Sequence, residues 1–201
     1  MWLKLGVGMT VVRTKYGALR GGQHADGVVA FLGVPFAAPP LGELRWRAPV
    51  PPASWLGERD ATSYSAACIQ PVGGEDGFGG MIAKAFDRET PTDTLRYSED
   101  CLYLNVFTGA IPATGQRRPV MVWIHGGAFR FGSGLGYDPQ HLVRKGVVVV
   151  TINYRLGPLG FLSHPDLTAE SGHNASGNYG LMDQIAALQG VQDNIAAFGG
   201  D

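Results

Sequence analysis

The sequence predicts an α/β fold in which a mixed, mainly parallel sheet is flanked by helices, and three observations carry that expectation. Residues 120–124 (VMVWI) and 147–152 (VVVVTI) are continuous apolar runs. Strands buried on both faces read this way, which implies a sheet covered by helices. A helix signal lies between the two runs, and strand–helix–strand order implies a parallel pair joined by a right-handed crossover. Further on, Leu181, Ile185, Leu188, Val191, Ile195 and Phe198 recur at spacings of four, three, three, four and three. That period describes one apolar face of a helix.

The elements follow in order. Residues 10–14 and 28–32 are rich in β-branched and aromatic types and read as strands. Residues 102–107 alternate and read as a third. In the helix between the apolar runs, Asp138 is the expected N-cap, Pro139 the first residue and Gly146 the stop. The last helix should end at Gly199-Gly200. An α/β unit calls for a strand next, so residues 1–201 are expected to be the N-terminal portion of a single larger domain.

Composition narrows the function classes. The chain has 201 residues, 45% hydrophobic and 16% charged, as expected of a globular protein that buries a core. Its net charge is −1 and it has no basic patch, so nucleic acid and anionic membranes are poor partners. No apolar run approaches the roughly 18 residues of a membrane span. Residues 1–9 are too short and too weakly apolar for a convincing signal peptide, which points to a cytoplasmic protein. The sequence does not settle oligomeric state.

The chemistry concentrates at His125-Gly126-Gly127-Ala128-Phe129, which follows the apolar run 120–124. Glycine allows a tight turn and a close approach to ligand. Exposed N–H groups in such a turn can bind the oxyanion of an ester-cleavage intermediate. A tight turn with purely structural glycines reads equally well from these residues alone. None of the eight serines (54, 63, 65, 98, 133, 163, 171 and 176) lies in a G-x-S-x-G elbow. His24, His125, His141, His164 and His173 show no metal-ligand spacing. The glycine-rich run 73–80 lacks the G-K-[ST] ending of a phosphate cradle. No cofactor and no metal is expected.

Several blocks in one order resemble the type-B carboxylesterases, the family that includes the cholinesterases and bile-salt lipases. They are FLGVPFA (31–37) with PPLG (39–42), LRW (44–46), SEDCLYLNV (98–106), NYRLG (153–157) with GFL (160–162), GNYGLMDQ (177–184) and NIAAFGGD (194–201). The resemblance covers nearly the whole chain and implies the α/β-hydrolase fold. It makes Gly127 and Ala128 oxyanion-hole donors through their backbone N–H groups, with Gly126 and His125 supporting the turn. It implies a Cys68–Cys101 disulfide at the rim of an active-site gorge, and with it an oxidising, secreted or periplasmic setting. It implies structural, buried ion pairs Arg45–Glu99 and Arg155–Asp183. Gly190 stands where the family usually has tryptophan, and residues 69–100 hold no tryptophan to stack on choline. Asn174-Ala175-Ser176 is a glycosylation sequon.

The implied function is hydrolysis of a small-molecule carboxylic ester by a serine nucleophile through an acyl-enzyme. In this fold the triad follows in the order Ser, Asp or Glu, His, so all three members are expected beyond residue 201. A non-catalytic adhesion-type relative and an inactive truncated product are the alternatives.

Overall fold

The computed structural model describes residues 5–24, 27–71, 83–87, 95–109 and 117–201. The glycine-rich run 73–80 lies outside them. The main sheet runs in the order β1 (Leu5–Arg13), β2 (Ala18–His24), β3 (Val29–Pro35), β7 (Tyr103–Thr108), β9 (Val148–Ile152) and β8 (Val120–Ile124). A short β4 (Glu58–Asp60) joins it alongside β2, while β5 (Ala67–Cys68) and β6 (Tyr97–Ser98) form a separate pair. The later part of the chain carries the helices α1 (Gln140–Arg144), α2 (Gly157–Phe161), α3 (Pro165–Glu170) and α4 (Tyr179–Asn194).

The sheet is mixed, as the sequence implies. Within these residues, however, the pairings from β1 through β2, β3 and β7 to β9 are all antiparallel. Parallel pairing enters with β8 on β9 and with the short β4. The expected strands appear with ends shifted by a few residues. The reading passed over β2, whose sequence ALRGGQH breaks the β-former pattern with two glycines. Packing explains one of them: a Cβ on Gly21 would lie 2.6 Å from the Phe31 ring and 2.7 Å from the Ala30 carbonyl oxygen.

Two expectations need correction. Every residue of β9 is buried, but Met121, Trp123 and Ile124 of β8 are exposed. β8 pairs with β9 alone and is the edge of the sheet. Beside its entry, Arg118 N–H donates to the Gly199 carbonyl at 3.0 Å and Asp201 N–H donates to Arg118 at 2.9 Å. Residues 199–201 thus begin a parallel pairing there. The second correction concerns α4. It continues into a 3-10 turn at Ile195–Phe198 and stops at Gly199 in the left-handed region (φ 82°), as expected. Yet only half of its expected apolar face is buried: Val191, Ile195 and Phe198 are, whereas Leu181 and Leu188 are exposed and Ile185 is 67% exposed. The buried stripe is Asp183, Ala187 and Val191, with Tyr179 and Gly180. A count of apolar residues alone overlooks Gly180, where a Cβ would meet the Arg155 carbonyl oxygen at 2.5 Å, and Asp183, which pairs with Arg155.

The main core lies between α4 and the sheet. Phe198 packs edge-on against Phe31 with ring centroids 4.9 Å apart, which seats the C-terminal end of α4 and its 3-10 turn on β3. In α1, Pro139 occupies the N-cap position and Asp138 stands one residue earlier, accepting from the Gln140 N–H at 3.0 Å. No helix among the described residues is long and apolar enough to cross a membrane.

Gly190 faces a small apolar cavity bounded by Val34, Phe36, Trp55, Val106, Ile195 and Phe198. A Cβ there would meet only the Phe36 Cβ, at 3.4 Å, an ordinary contact. Glycine inside a helix costs about 1 kcal/mol relative to alanine. Gly190→Ala should therefore raise the free energy of unfolding by about 1 kcal/mol, measured as a higher midpoint in urea with an unchanged slope. A lower midpoint would show that the cavity is not available to a methyl group.

Candidate active site

The strand β8 ends at Ile124, and the next five residues make the candidate site. Gly127, Ala128 and Phe129 hold φ of 122°, 52° and 59° in succession. Left-handed backbone at a non-glycine residue costs on the order of 1–3 kcal/mol and persists only where surrounding structure enforces it. Gly127 cannot be replaced at all without movement, since a Cβ would fall 1.8 Å from the Phe131 carbonyl oxygen. Its own carbonyl accepts from the Arg130 and Phe131 N–H groups at 3.0 and 3.2 Å, closing the turn. The N–H groups of Gly127 and Ala128 donate to no acceptor among the described residues. Two neighbouring donors therefore lie at the carboxyl end of a strand with no acceptor among the described residues.

The supporting residues divide differently from the expectation. Gly126 is exposed, and a Cβ there would meet nothing within 4 Å. The turn's conformation rests on Gly127 instead. His125 does support it. The residue is 3% exposed, and its ring stacks on Tyr154 with centroids 4.3 Å apart. With the proton on Nδ1, it donates to the Gly126 carbonyl at 2.9 Å. The Tyr154 hydroxyl in turn donates to the His125 carbonyl at 2.8 Å. Burial pushes the His125 imidazole below its ordinary value, against a smaller opposing effect of the Gly126 bond. Its Nε2 is buried with no partner. A neutral ring fixed in this way holds the turn, and nothing in its geometry makes it a catalytic base.

The segment after the turn is anchored by buried amides that motif reading passed over. Asn153 accepts from the Gly134 N–H at 2.8 Å and donates to the Ala66 and Cys101 carbonyls. Asn105 accepts from the Gly33 N–H and donates to the Gly134 carbonyl and the Thr151 hydroxyl. Gln70 bonds Gly132 through both of its side-chain atoms. A signal was present in the sequence: Asn105 and Asn153 are amides set within or directly after apolar strand runs, where an unsatisfied polar group is costly.

Cys68 and Cys101 are bridged, with Cα atoms 5.0 Å apart and a separation of 33 positions in sequence. In the chain-entropy model such a closure contributes about 3–4 kcal/mol. Arg155 and Asp183 form the expected buried pair, with Nε–Oδ2 and Nη2–Oδ1 both at 2.8 Å and a third bond from the Arg155 N–H. Arg155 Nη2 also donates to the Arg47 carbonyl, and the guanidinium lies over the Tyr179 ring. Two residues on, the Gly157 N–H donates to the Phe129 carbonyl at 2.7 Å, so the loop that carries Arg155 also grips the turn. Arg45 and Glu99 pair through two bonds of 2.6 Å but stay partly exposed, a correction to the expected burial. They sit beside the disulfide, and together the pair and the bridge line one small cleft.

Comparison with known proteins decides the family. The family model described as "Carboxylesterase family" matches residues 8–201. The chain belongs to this family. Over 193 residues it is 47% identical to a fumonisin B1 esterase of Sphingopyxis macrogoltabida, covering 95% of this chain and 33% of the relative. It is 48% identical over 176 residues to a cocaine esterase of Homo sapiens, covering 87% and 30%. Among solved structures, a PNB esterase superposes with a TM-score of 0.78 at 44% identity, covering 96% of this chain and 36% of that one. The fold of this carboxylesterase-family chain is that of the α/β hydrolases. It spans about a third of the length of the curated relatives it matches.

The depressed His125 value has a stability consequence. The unfolded chain takes up a proton as pH falls through about 6.5, while the buried ring resists protonation until lower pH. The unfolded state then binds more protons, so this group makes stability fall as pH drops through that window. His125→Phe keeps a ring against Tyr154 and removes the titration. The melting temperature of the variant should fall less between pH 7 and about 5 than that of the parent. Equal slopes would show that His125 is not held neutral.

Proposed function

We propose that this chain is the N-terminal part of a single hydrolase domain that cleaves carboxylic esters through a serine acyl-enzyme. On this reading the Gly127 and Ala128 N–H groups bind the tetrahedral oxyanion, and the residues around the Cys68–Cys101 bridge form part of the gorge wall. The observation that carries the reading is the pair of unbonded donors at the end of β8, one of them on Ala128 in strained left-handed backbone. Fixed donors in place before the charge develops are what such an intermediate needs. An adhesion-type relative needs no such donors, so the strain favours an enzyme. The nucleophile and its partners come from outside residues 1–201, which contain no G-x-S-x-G. Exposed apolar side chains on β8 and α4 support this, as surfaces that the rest of the domain would cover. The closed bridge supports an oxidising compartment.

Two outcomes test the proposal. Residues 1–201 alone should hydrolyse 4-nitrophenyl acetate no faster than buffer. Activity that disappears on mutating one of the chain's own residues would contradict that. In the full-length protein, replacing Ala128 by lactic acid turns its amide into an ester and removes the N–H. The expected loss is roughly 10²–10³ in kcat on a short-chain aryl ester. Proline would be a poor probe, because its φ near −65° is incompatible with the 52° observed. Ala128→Gly keeps the N–H, relieves the left-handed strain, and should retain activity. An ester-substituted protein with normal kcat would remove the oxyanion role.

A further inference from the structure

Gln70 stands two residues after Cys68 and outside the turn it touches. Its Nε2 donates to the Gly132 carbonyl at 2.8 Å and to the Cys68 carbonyl at 3.0 Å. Its Oε1 accepts from the Gly132 N–H at 2.7 Å. One side chain thus satisfies both backbone groups of Gly132, as a neighbouring strand would, and ties them to the bridged cysteine. Gly132 in turn lies directly against the candidate site. A Cβ on it would fall 2.3 Å from His125 Nδ1 and 2.5 Å from the Gly126 carbonyl oxygen. Its φ of 117° is also in the glycine region. Nothing thicker than a bare backbone fits between Gln70 and the His125–Gly126 peptide.

We propose that Gln70 is a positioning residue for ester hydrolysis, holding Gly132 against the oxyanion turn from a mount on the Cys68–Cys101 bridge. The inference rests on the oxyanion reading of Gly127 and Ala128. The mechanical argument is that the turn is strained and its donors must be fixed before reaction. On one side, Tyr154 and the Gly157 N–H hold it through His125 and Phe129. On the other side, Gly132 is the contact, and Gln70 is what fixes Gly132. The other ties of residues 130–134 lie at either end of the segment: the Arg130 and Phe131 bonds to Gly127, and the Asn153, Asn105 and Thr151 bonds to Gly134. Displacing a catalytic donor by about 1 Å can cost as much as 10²-fold in rate.

Gln70→Met is the test, since methionine keeps the length and volume and loses all three bonds. Val12→Ala, at a buried core position of β1, serves as the control for general destabilisation. The first readout is amide hydrogen exchange across residues 126–135 in the chain itself, followed by mass spectrometry. In Gln70→Met, the amides of Arg130, Phe131 and Gly134 should exchange about ten-fold faster or more, although none of them bonds to Gln70, while those of β9 stay unchanged. In Val12→Ala no such local preference should appear. The second readout is kinetics of the full-length protein, where kcat should fall about 10- to 100-fold with KM within about two-fold. Faster exchange at Gly132 alone with normal kcat would overturn the proposal. The exchange result does not depend on activity, and the Ala128 ester variant tests the oxyanion reading separately, so the two can fail independently.

Discussion

The three consecutive left-handed residues Gly127, Ala128 and Phe129 are the constraint on which the surrounding structure depends. Two of them carry a Cβ, so the turn does not hold itself, and its cost of on the order of 1–3 kcal/mol per residue must be met by neighbours. Each neighbour acts at a different point. Tyr154 grips His125 before the turn, by stacking and by a hydroxyl bond to its carbonyl. The Gly157 N–H takes the Phe129 carbonyl inside it. Gln70 and Gly132 close it from behind. The Arg155–Asp183 pair ties this assembly to α4, because Arg155 lies between Tyr154 and Gly157 in sequence. Losing either partner would strand a buried charge at about 3–5 kcal/mol, and the loss would reach the turn through the same loop.

Buried polar groups fix the loop after the turn against the sheet. Gly134 passes so close to β9 that a Cβ would meet the Ile152 carbonyl oxygen at 2.7 Å. Its N–H goes to Asn153, and its carbonyl takes Asn105 and the Thr151 hydroxyl. Every hydrogen-bonding group of the Asn105 and Asn153 side chains that touches this loop is used. A fully satisfied network of this kind stiffens its surroundings, whereas a half-satisfied one would be worse than apolar packing.

Much of this was legible in the sequence where one residue type serves one purpose. The strands β8 and β9, the helix between them and the stop at Gly199 follow from local rules. The residues after β8 pointed to the turn, and the family resemblance implied the bridge and both ion pairs. What escaped was whatever depends on a partner far along the chain. The buried face of α4 is set by Gly180 and Asp183 meeting Arg155, which periodicity of apolar residues cannot register. β2 was lost because its Gly21 makes room for the Phe31 ring rather than for a turn. Gln70 gave no signal, since one glutamine beside a cysteine is ordinary until Gly132 is seen against it. Gly126 misled for the opposite reason: the glycine that the backbone demands is Gly127.

The open edge of the sheet and the unbonded donors are one arrangement. In open α/β sheets ligands sit beyond the carboxyl ends of strands, and the donors lie at that end of β8. One flank of β8 is filled by β9, whose residues are all buried. The other carries the exposed Met121, Trp123 and Ile124, and residues 199–201 start their parallel pairing at its entry. On the proposed reading, a nucleophile reaching Gly127 and Ala128 has to be delivered along this second flank. A strand laid there would continue the pairing begun at Gly200 and run parallel to β8, so that its carboxyl end arrives beside the turn. The helix face of Leu181, Ile185 and Leu188 would supply apolar surface for what accompanies it. On that reading, sheet edge, helix face and donors agree on the direction from which the reacting group would come.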